Sequence, residues 1–142
     1  MNAPAIYSLF VYGSLRSGFQ SQAYDYMSRY FNLAGNGRVK GRLYDLGEYP
    51  AALPTTEDQF IYGELYEIKN QDEFSYVIGQ LDDYEGVLVE AGETPLYRRE
   101  MAMVETDRGP VAAWVYWYNG DVSGRPFIPS GDLLQYLNQR NG

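Results

Sequence analysis

Five runs rich in β-branched and aromatic residues, punctuated by Gly, Pro and Asp rather than by crossover helices, restrict the folds open to this chain. Ile6–Tyr12 is stopped by Gly13. Arg38–Leu46 ends in the turn-rich stretch Gly47-Glu48-Tyr49-Pro50, and Phe60–Ile68 follows. Tyr97–Glu105 and Val111–Tyr118 flank Asp107-Arg108-Gly109-Pro110, which predicts a hairpin. Strand runs outnumber helical ones, so the class is α+β with a largely β core. In a domain this small, a sheet closed into a barrel removes its edges, and that architecture is expected. Gly41-Arg42-Leu43-Tyr44-Asp45 and Gly63-Glu64-Leu65-Tyr66-Glu67 share a pattern. One pair is too short for a solenoid, but it predicts two similar strands with Gly where neighbouring backbone comes close.

Helical spacing appears three times. Ser21–Phe31 carries Ala23, Met27 and Tyr30–Phe31 on one face, and a short last helix near Leu133–Leu137 follows Pro126 and Pro129, capped by Ser130 or Asp132. The strongest period is Gln71–Glu85, with Phe74, Val77, Ile78, Leu81 and Tyr84 as its apolar stripe. Asn70 serves as N-cap with Glu73 three residues on, and Gly86 closes the C-terminus. Stepping from Phe74 through Ile78 and Leu81 lands on Glu85, so a carboxylate follows the buried stripe. Beside it stand Asp82 and Asp83, at the helix end where the macrodipole disfavours negative charge. Burial, like charge and dipole all push its pKa upward, which suits a general acid/base near neutral pH; the structural alternative is an exposed acidic helix end.

Composition narrows the chemistry. The 142 residues suffice for one domain, 1–142, with no linker or low-complexity stretch to divide it. The chain has no Cys and no His, which removes disulfides, cysteine nucleophiles, Ser-His-Asp triads and the usual zinc sites. Acid/base work then falls to carboxylates, tyrosines or lysines. A hard-metal site built from carboxylates alone stays open, although no loop has the regular acidic spacing of a calcium loop. A net charge of −8 speaks against nucleic acid as a partner. No apolar run approaches the roughly 20 residues of a membrane span, and Met1–Ile6 does not read as a signal peptide; cytoplasmic residence is the expectation. Most of the 15 tyrosines are expected half-buried on strands, a few lining a polar pocket.

Tyr12-Gly13-Ser14-Leu15 leaves the first strand. Gly there lets successive backbone N–H groups converge on an anion, and Ser14 adds a hydroxyl; the plainer reading is a turn. Gly13-Ser14-Leu15-Arg16-Ser17-Gly18 is not a P-loop, since it lacks the Gly-Lys-Ser/Thr ending.

Phe10-Val11-Tyr12-Gly13-Ser14-Leu15 resembles the Tyr-Gly-Ser/Thr-Leu signature of the gamma-glutamyl cyclotransferase-like family. Leu43-Tyr44-Asp45-Leu46-Gly47-Glu48-Tyr49-Pro50-Ala51-Ala52, Gly63-Glu64-Leu65-Tyr66 and Leu81-Asp82-Asp83-Tyr84-Glu85-Gly86 match in order. Tyr97-Arg98-Arg99 and Ala113-Trp114-Val115-Tyr116 complete a resemblance running from about Leu9 to Asp132. It implies a small mixed β-barrel of about six strands with peripheral helices. It also implies that Glu85, just before Gly86, is the catalytic glutamate, and that Tyr12, Gly13, Ser14 and Leu15 bind the glutamyl portion of the substrate. Carried over more loosely, Tyr97 and Tyr116 resemble pocket tyrosines, with ordinary core tyrosines as the alternative.

The activity so implied is cyclisation of a small-molecule γ-glutamyl amide, of the γ-glutamylamine cyclotransferase type. The α-amine attacks its own γ-carbonyl, giving 5-oxoproline and a free amine or amino acid, chemistry for which no cofactor or metal is expected. Glu85 would take a proton from the ammonium and return one to the leaving nitrogen. Amides near Gly13–Leu15 would meet the α-carboxylate or the developing oxyanion. The loop Val87–Pro95 is where leaving-group preference is expected. Arg98 and Arg99 alternate across a strand, so one faces inward; paired with Glu85 it would oppose the rise in that pKa, as a structural salt bridge first and a substrate contact second. Two other readings stand beside the enzyme: a non-catalytic binder of a small amino-acid-like metabolite on the same fold, and a glycosidase pair among Asp82, Asp83 and Glu85. The latter is disfavoured by their crowding into one helical turn. Oligomeric state is not legible; only a coiled-coil route is absent.

Overall fold

The computed structural model describes residues 6–13, 15–17, 21–47, 49–87 and 95–141. The chain runs β1 (Ser8–Val11), α1 (Gln22–Tyr30), β2 (Phe31–Asp45), β3 (Pro50–Pro54), β4 (Phe60–Ile68), then a 3₁₀ turn at Gln71–Glu73 leading into α2 (Phe74–Tyr84). β5 (Tyr97–Thr106), β6 (Gly109–Tyr118), β7 (Phe127–Ile128) and α3 (Leu133–Asn141) follow. Strands β2-β4-β1-β6-β5 pair in that order, and β5 returns to β2 where Arg38 faces Glu105, closing a barrel. β1 and β6 run parallel at Leu9 and Trp114 while the other pairs are antiparallel, so the barrel is mixed. Five strands close it, and β3 and β7 are extra strands laid along the far half of β2.

The largest departure from the sequence expectation is β2, which begins at Phe31 instead of Arg38. Asn32-Leu33-Ala34-Gly35-Asn36-Gly37 has no alternating apolar pattern, and it is pairing with β4 that makes it a strand. A register shift between Leu33 and Gly35 bends it there, with Gly35 at φ 147°. β2 can thus follow β4 with its first part and receive β3 at residues 41–45.

β1 shows why its run does not alternate from Leu9 onward: both of its faces are buried there. Phe10 and Tyr12 join Val39, Leu43, Ile61, Val115 and Trp117 inside the barrel. Leu9 and Val11 point the other way, into a layer formed with Met27 of α1 and Phe74, Val77 and Leu81 of α2. β4 passes very close to β1: a Cβ on Gly63 would lie 2.1 Å from the Val11 carbonyl oxygen. The repeated glycine of the two similar strands therefore marks the tight approach expected of it. At Gly41 the neighbours are the Ile61 side chain and the Leu53 oxygen.

Candidate active site

Helix α2 delivers Glu85 to the barrel mouth. The Asn70 side chain accepts from the Asp72 N–H at 3.0 Å, so it caps the 3₁₀ turn; Glu73 at the start of α2 makes no side-chain cap bond. At the other end the Gly86 N–H donates to Asp83 O (3.2 Å) and the Val87 N–H to Asp82 O (2.9 Å), with Gly86 at φ 73°. This is a Schellman closure, and it makes Glu85 the C-cap residue. Phe74, Val77, Ile78 and Leu81 bury the expected stripe, but Tyr84 is 54% exposed. Tyr84 and Asp82 lie on opposite flanks of that stripe, and packing buries the Asp82 flank.

Asp82 is held by both nitrogens of one guanidinium edge, Arg99 Nε to Oδ1 at 2.7 Å and Nη2 to Oδ2 at 3.1 Å. The Tyr116 hydroxyl also donates to Oδ1, at 2.8 Å, and the Arg99 guanidinium lies 4.4 Å from the centre of the Trp114 ring. The inward arginine therefore takes Asp82, not Glu85, and the opposing influence expected on Glu85 is absent among the described residues. Arg98 turns outward to Glu100 and Asn119. With Asp82 committed to Arg99 and Asp83 exposed, the three carboxylates do not face one another across a cleft.

A cavity of about 490 Å³ opens between these elements. Phe10, Val11, Tyr12, Gly13 and Leu15 line it from β1 and its exit; Gly47, Tyr49 and Pro50 from the β2–β3 turn; Tyr84 and Glu85 from α2. Leu96, Tyr97 and Tyr116 add the β5 and β6 wall, and Leu133 with Leu137 the α3 wall. A Cβ on Gly13 would come within 3.3 Å of the Pro50 ring, so the glycine lets the β1 exit and the β2–β3 turn meet. Of the residues expected in a site, Tyr12, Gly13, Leu15, Glu85, Tyr97 and Tyr116 share this one cavity; Ser14 lies outside the described residues.

Glu85 is half-buried, and its pKa is pushed up to about 7, first by burial and then by the negative charge of Asp82. It is the sole charged group among the described lining residues. The tyrosines are different in kind. Burial holds the phenols of Tyr12, Tyr97 and Tyr116 well above their ordinary pKa, helped by neighbouring acidic groups including Glu85. All three stay neutral, and each has a partner for its proton: Tyr12 donates to Tyr116 O, Tyr97 to Pro50 O, and Tyr116 to Asp82. They shape the cavity, and Glu85 is the group able to exchange a proton near neutrality.

Sequence reasoning missed Asp82 with Arg99, the Tyr49–Pro50 turn, Leu96, and the α3 wall. Two of these carried a signal. Asp82 stands three residues before Glu85 and so shares its side of the helix, and Leu133 and Leu137 are four apart on one face of α3. Tyr49 and Pro50 read locally as part of a turn and Leu96 carries no signal at all; all three reach the cavity only through the tertiary fold.

Comparison with known proteins bears on the family and the fold. Residues 9–135 match the family model for gamma-glutamyl cyclotransferase, AIG2-like. The Gamma-glutamylcyclotransferase family protein YtfP of Escherichia coli K12 is 32% identical over 127 residues, covering 89% of this chain and 95% of that protein. The solution structure of Escherichia coli ytfP superposes with a TM-score of 0.61 over 91% of this chain and 97% of that one. Gamma-L-glutamyl-butirosin B gamma-glutamyl cyclotransferase of Niallia circulans is 34% identical over 116 residues, 80% of this chain and 68% of its own. The crystal structure of YkqA from Bacillus subtilis matches with a TM-score of 0.71 at 26% identity, over 97% of this chain; the chain spans 44% of that protein's length.

Proposed function

This chain belongs to the gamma-glutamyl cyclotransferase, AIG2-like family, and on that premise we propose that it cyclises γ-glutamylamines to 5-oxoproline and the free amine, with Glu85 as the single general acid/base. The observation that carries this reading is the placement of Glu85: one carboxyl titrating near neutrality, in the cavity that also receives Gly13 and Leu15.

The chemistry asks little of the protein beyond folding and proton transfer. The substrate α-nitrogen attacks its own γ-carbonyl carbon, closing a five-membered ring, and the bond from that carbon to the amide nitrogen breaks. Nucleophile and electrophile belong to one molecule, so a cavity that holds it bent gains most of the benefit of proximity. Glu85, ionised above about pH 7, relays one after the other the two protons that the α-ammonium sheds on becoming a lactam N–H, passing both to the departing nitrogen, which leaves as an ammonium. No water is consumed and the carboxyl returns to its starting state. The neutral, internally bonded tyrosines keep the walls rigid while this happens.

An amine rather than an amino acid as leaving group is supported by the lining. The described walls hold aromatic and aliphatic side chains and no Lys or Arg. A γ-glutamyl amino acid brings two carboxylates; backbone amides at the β1 exit can serve one, and the second would be buried without a cation. The Niallia circulans relative is named for a γ-glutamyl derivative of butirosin B, and an amine as leaving group extends that kind of chemistry to this chain.

The test is a panel of γ-glutamyl amides, from simple alkyl- and arylalkylamines through the ε-lysine derivative to γ-glutamyl amino acids, scored by 5-oxoproline released. Turnover of amines above amino acids supports the reading, and Glu85→Gln must abolish it while still binding product. Binding of 5-oxoproline without cyclisation of any panel member would favour a metabolite-binding domain instead.

A further inference from the structure

Glu64 is a buried carboxylate that the chemistry above does not use. It lies on β4 beside Gly63, is 8% exposed, and is not part of the cavity wall. Burying a carboxylate among apolar residues is costly unless its oxygens are filled by donors. Glu64 has three. The Ser17 N–H donates to Oε1 at 2.7 Å, the Ser17 hydroxyl to Oε2 at 2.6 Å, and the Tyr66 hydroxyl to Oε1 at 3.0 Å. Two of the three come from one residue 47 positions away, at the far end of the segment that begins with Gly13.

That segment is tied at two further points. The Arg16 N–H donates to Gly13 O at 2.9 Å, closing a turn, and the Arg16 guanidinium bonds Asp132 at 2.9 Å. Asp132 also accepts from the Gln135 N–H at 3.2 Å and so caps α3, whose Leu133 lines the cavity. One end of the turn is thus set by β1, its middle by α3, and its exit by Glu64. Only the last anchor grips the backbone amide and the side chain of the same residue with charge-assisted bonds.

We propose that Glu64 is a positioning residue: by holding the amide and hydroxyl of Ser17 it fixes the exit of the Gly13–Ser17 turn against the barrel, and thereby sets affinity for substrate without touching it. This rests on the cyclotransferase reading, because substrate affinity is its functional consequence. The anchoring itself does not depend on that reading.

The test compares Glu64→Gln, Ser17→Ala and Tyr66→Phe in the full chain, using the γ-glutamyl amide turned over best by the wild type. Glu64→Gln keeps the shape but offers one acceptor and one donor where two acceptors stood. It should raise KM about tenfold or more, in line with loss of a charge-assisted bond, and leave kcat within about threefold. Amide hydrogen exchange at Arg16 and Ser17 should accelerate. Ser17→Ala should raise KM by a smaller factor. Tyr66→Phe removes a bond to the same carboxylate that comes from β4 itself, leaves both turn bonds, and should leave KM alone.

Equal rises in KM for Tyr66→Phe and Glu64→Gln would overturn the inference, since general loosening would then explain both. So would an unchanged KM in a folded Glu64→Gln protein. Should Glu64→Gln not fold, a KM raised by Ser17→Ala but not by Tyr66→Phe supports the inference, and equal effects overturn it. Absence of turnover in the wild type would sink the cyclotransferase reading; exchange at Ser17 unaffected by Ser17→Ala and by Glu64→Gln would then sink the anchoring as well.

Discussion

Replacing Glu85 by Gln should make this protein less active and more stable, and the two effects share one cause. In the unfolded chain the carboxyl titrates at about 4.5, in the folded protein at about 7. The folded state binds this proton more tightly. The favourable contribution of the protonated side chain is therefore fully present below about pH 4.5 and is lost as pH rises through about 7. Each pH unit between the two values corresponds to about 1.4 kcal/mol, so the wild type carries a penalty of about 1 kcal/mol at about pH 5.5 and about 3 kcal/mol at about pH 8.5. Gln has the shape of the protonated acid and never ionises. Urea titration should find Glu85→Gln ahead of wild type by those amounts at the two pH values. The melting temperature at the higher pH should rise by on the order of 10 °C. Asp83→Asn is the control: it removes the same charge from the same helix end at an exposed position, and should gain only a few tenths of a kcal/mol. Turnover of Glu85→Gln should fall by about 10²–10⁴. If Glu85→Gln and Asp83→Asn are equally stable at the higher pH, Glu85 is not held in a dry site and the acid/base argument fails with it.

Three further outcomes follow from particular contacts. Asp82→Asn removes the charge that helps to raise Glu85 and leaves Arg99 unpaired, so the acid limb of kcat/KM should move below about 7; urea titration should also show a loss of about 3 kcal/mol for the broken buried pair. An acid limb that stays in place would mean Asp82 does not act on Glu85. Tyr97→Phe deletes the donor to Pro50 O and should cost about 1 kcal/mol in the same assay, with KM raised severalfold as the Tyr49–Pro50 turn loosens; unchanged KM would detach that turn from substrate binding. Gly63→Ala would drive a Cβ to 2.1 Å of a backbone oxygen and should cost about 4 kcal/mol or more, whereas Gly79→Ala, on a helix with nothing within 4 Å, should gain about 0.5–1 kcal/mol. Denaturation midpoints that fail to separate these two glycine variants would refute the close approach of β1 and β4.

What the sequence discloses and what it hides here divide along the range of the interactions involved. Phe60–Ile68 is legible residue for residue because its β-branched and aromatic run has turn signals on both sides. The first half of β2 is hidden because Asn32–Gly37 has no strand pattern of its own and is extended only by β4 beside it. The same division runs through the site. Glu85 is legible because a helix repeats every 3.6 residues and carries the period past its last apolar residue onto a carboxylate. The destination of Arg99 is not, since alternation along β5 says that one of two arginines points inward but not which carboxylate it meets. That choice decides the chemistry. An arginine on Glu85 would hold its proton affinity low and leave a salt bridge; on Asp82 it secures a second negative charge beside Glu85 and leaves Glu85 free to titrate near neutrality. The periodic part of the pattern therefore finds the acid/base candidate, while its proton affinity is raised by burial and by Asp82, whose own partner, Arg99, lies 17 residues beyond Asp82.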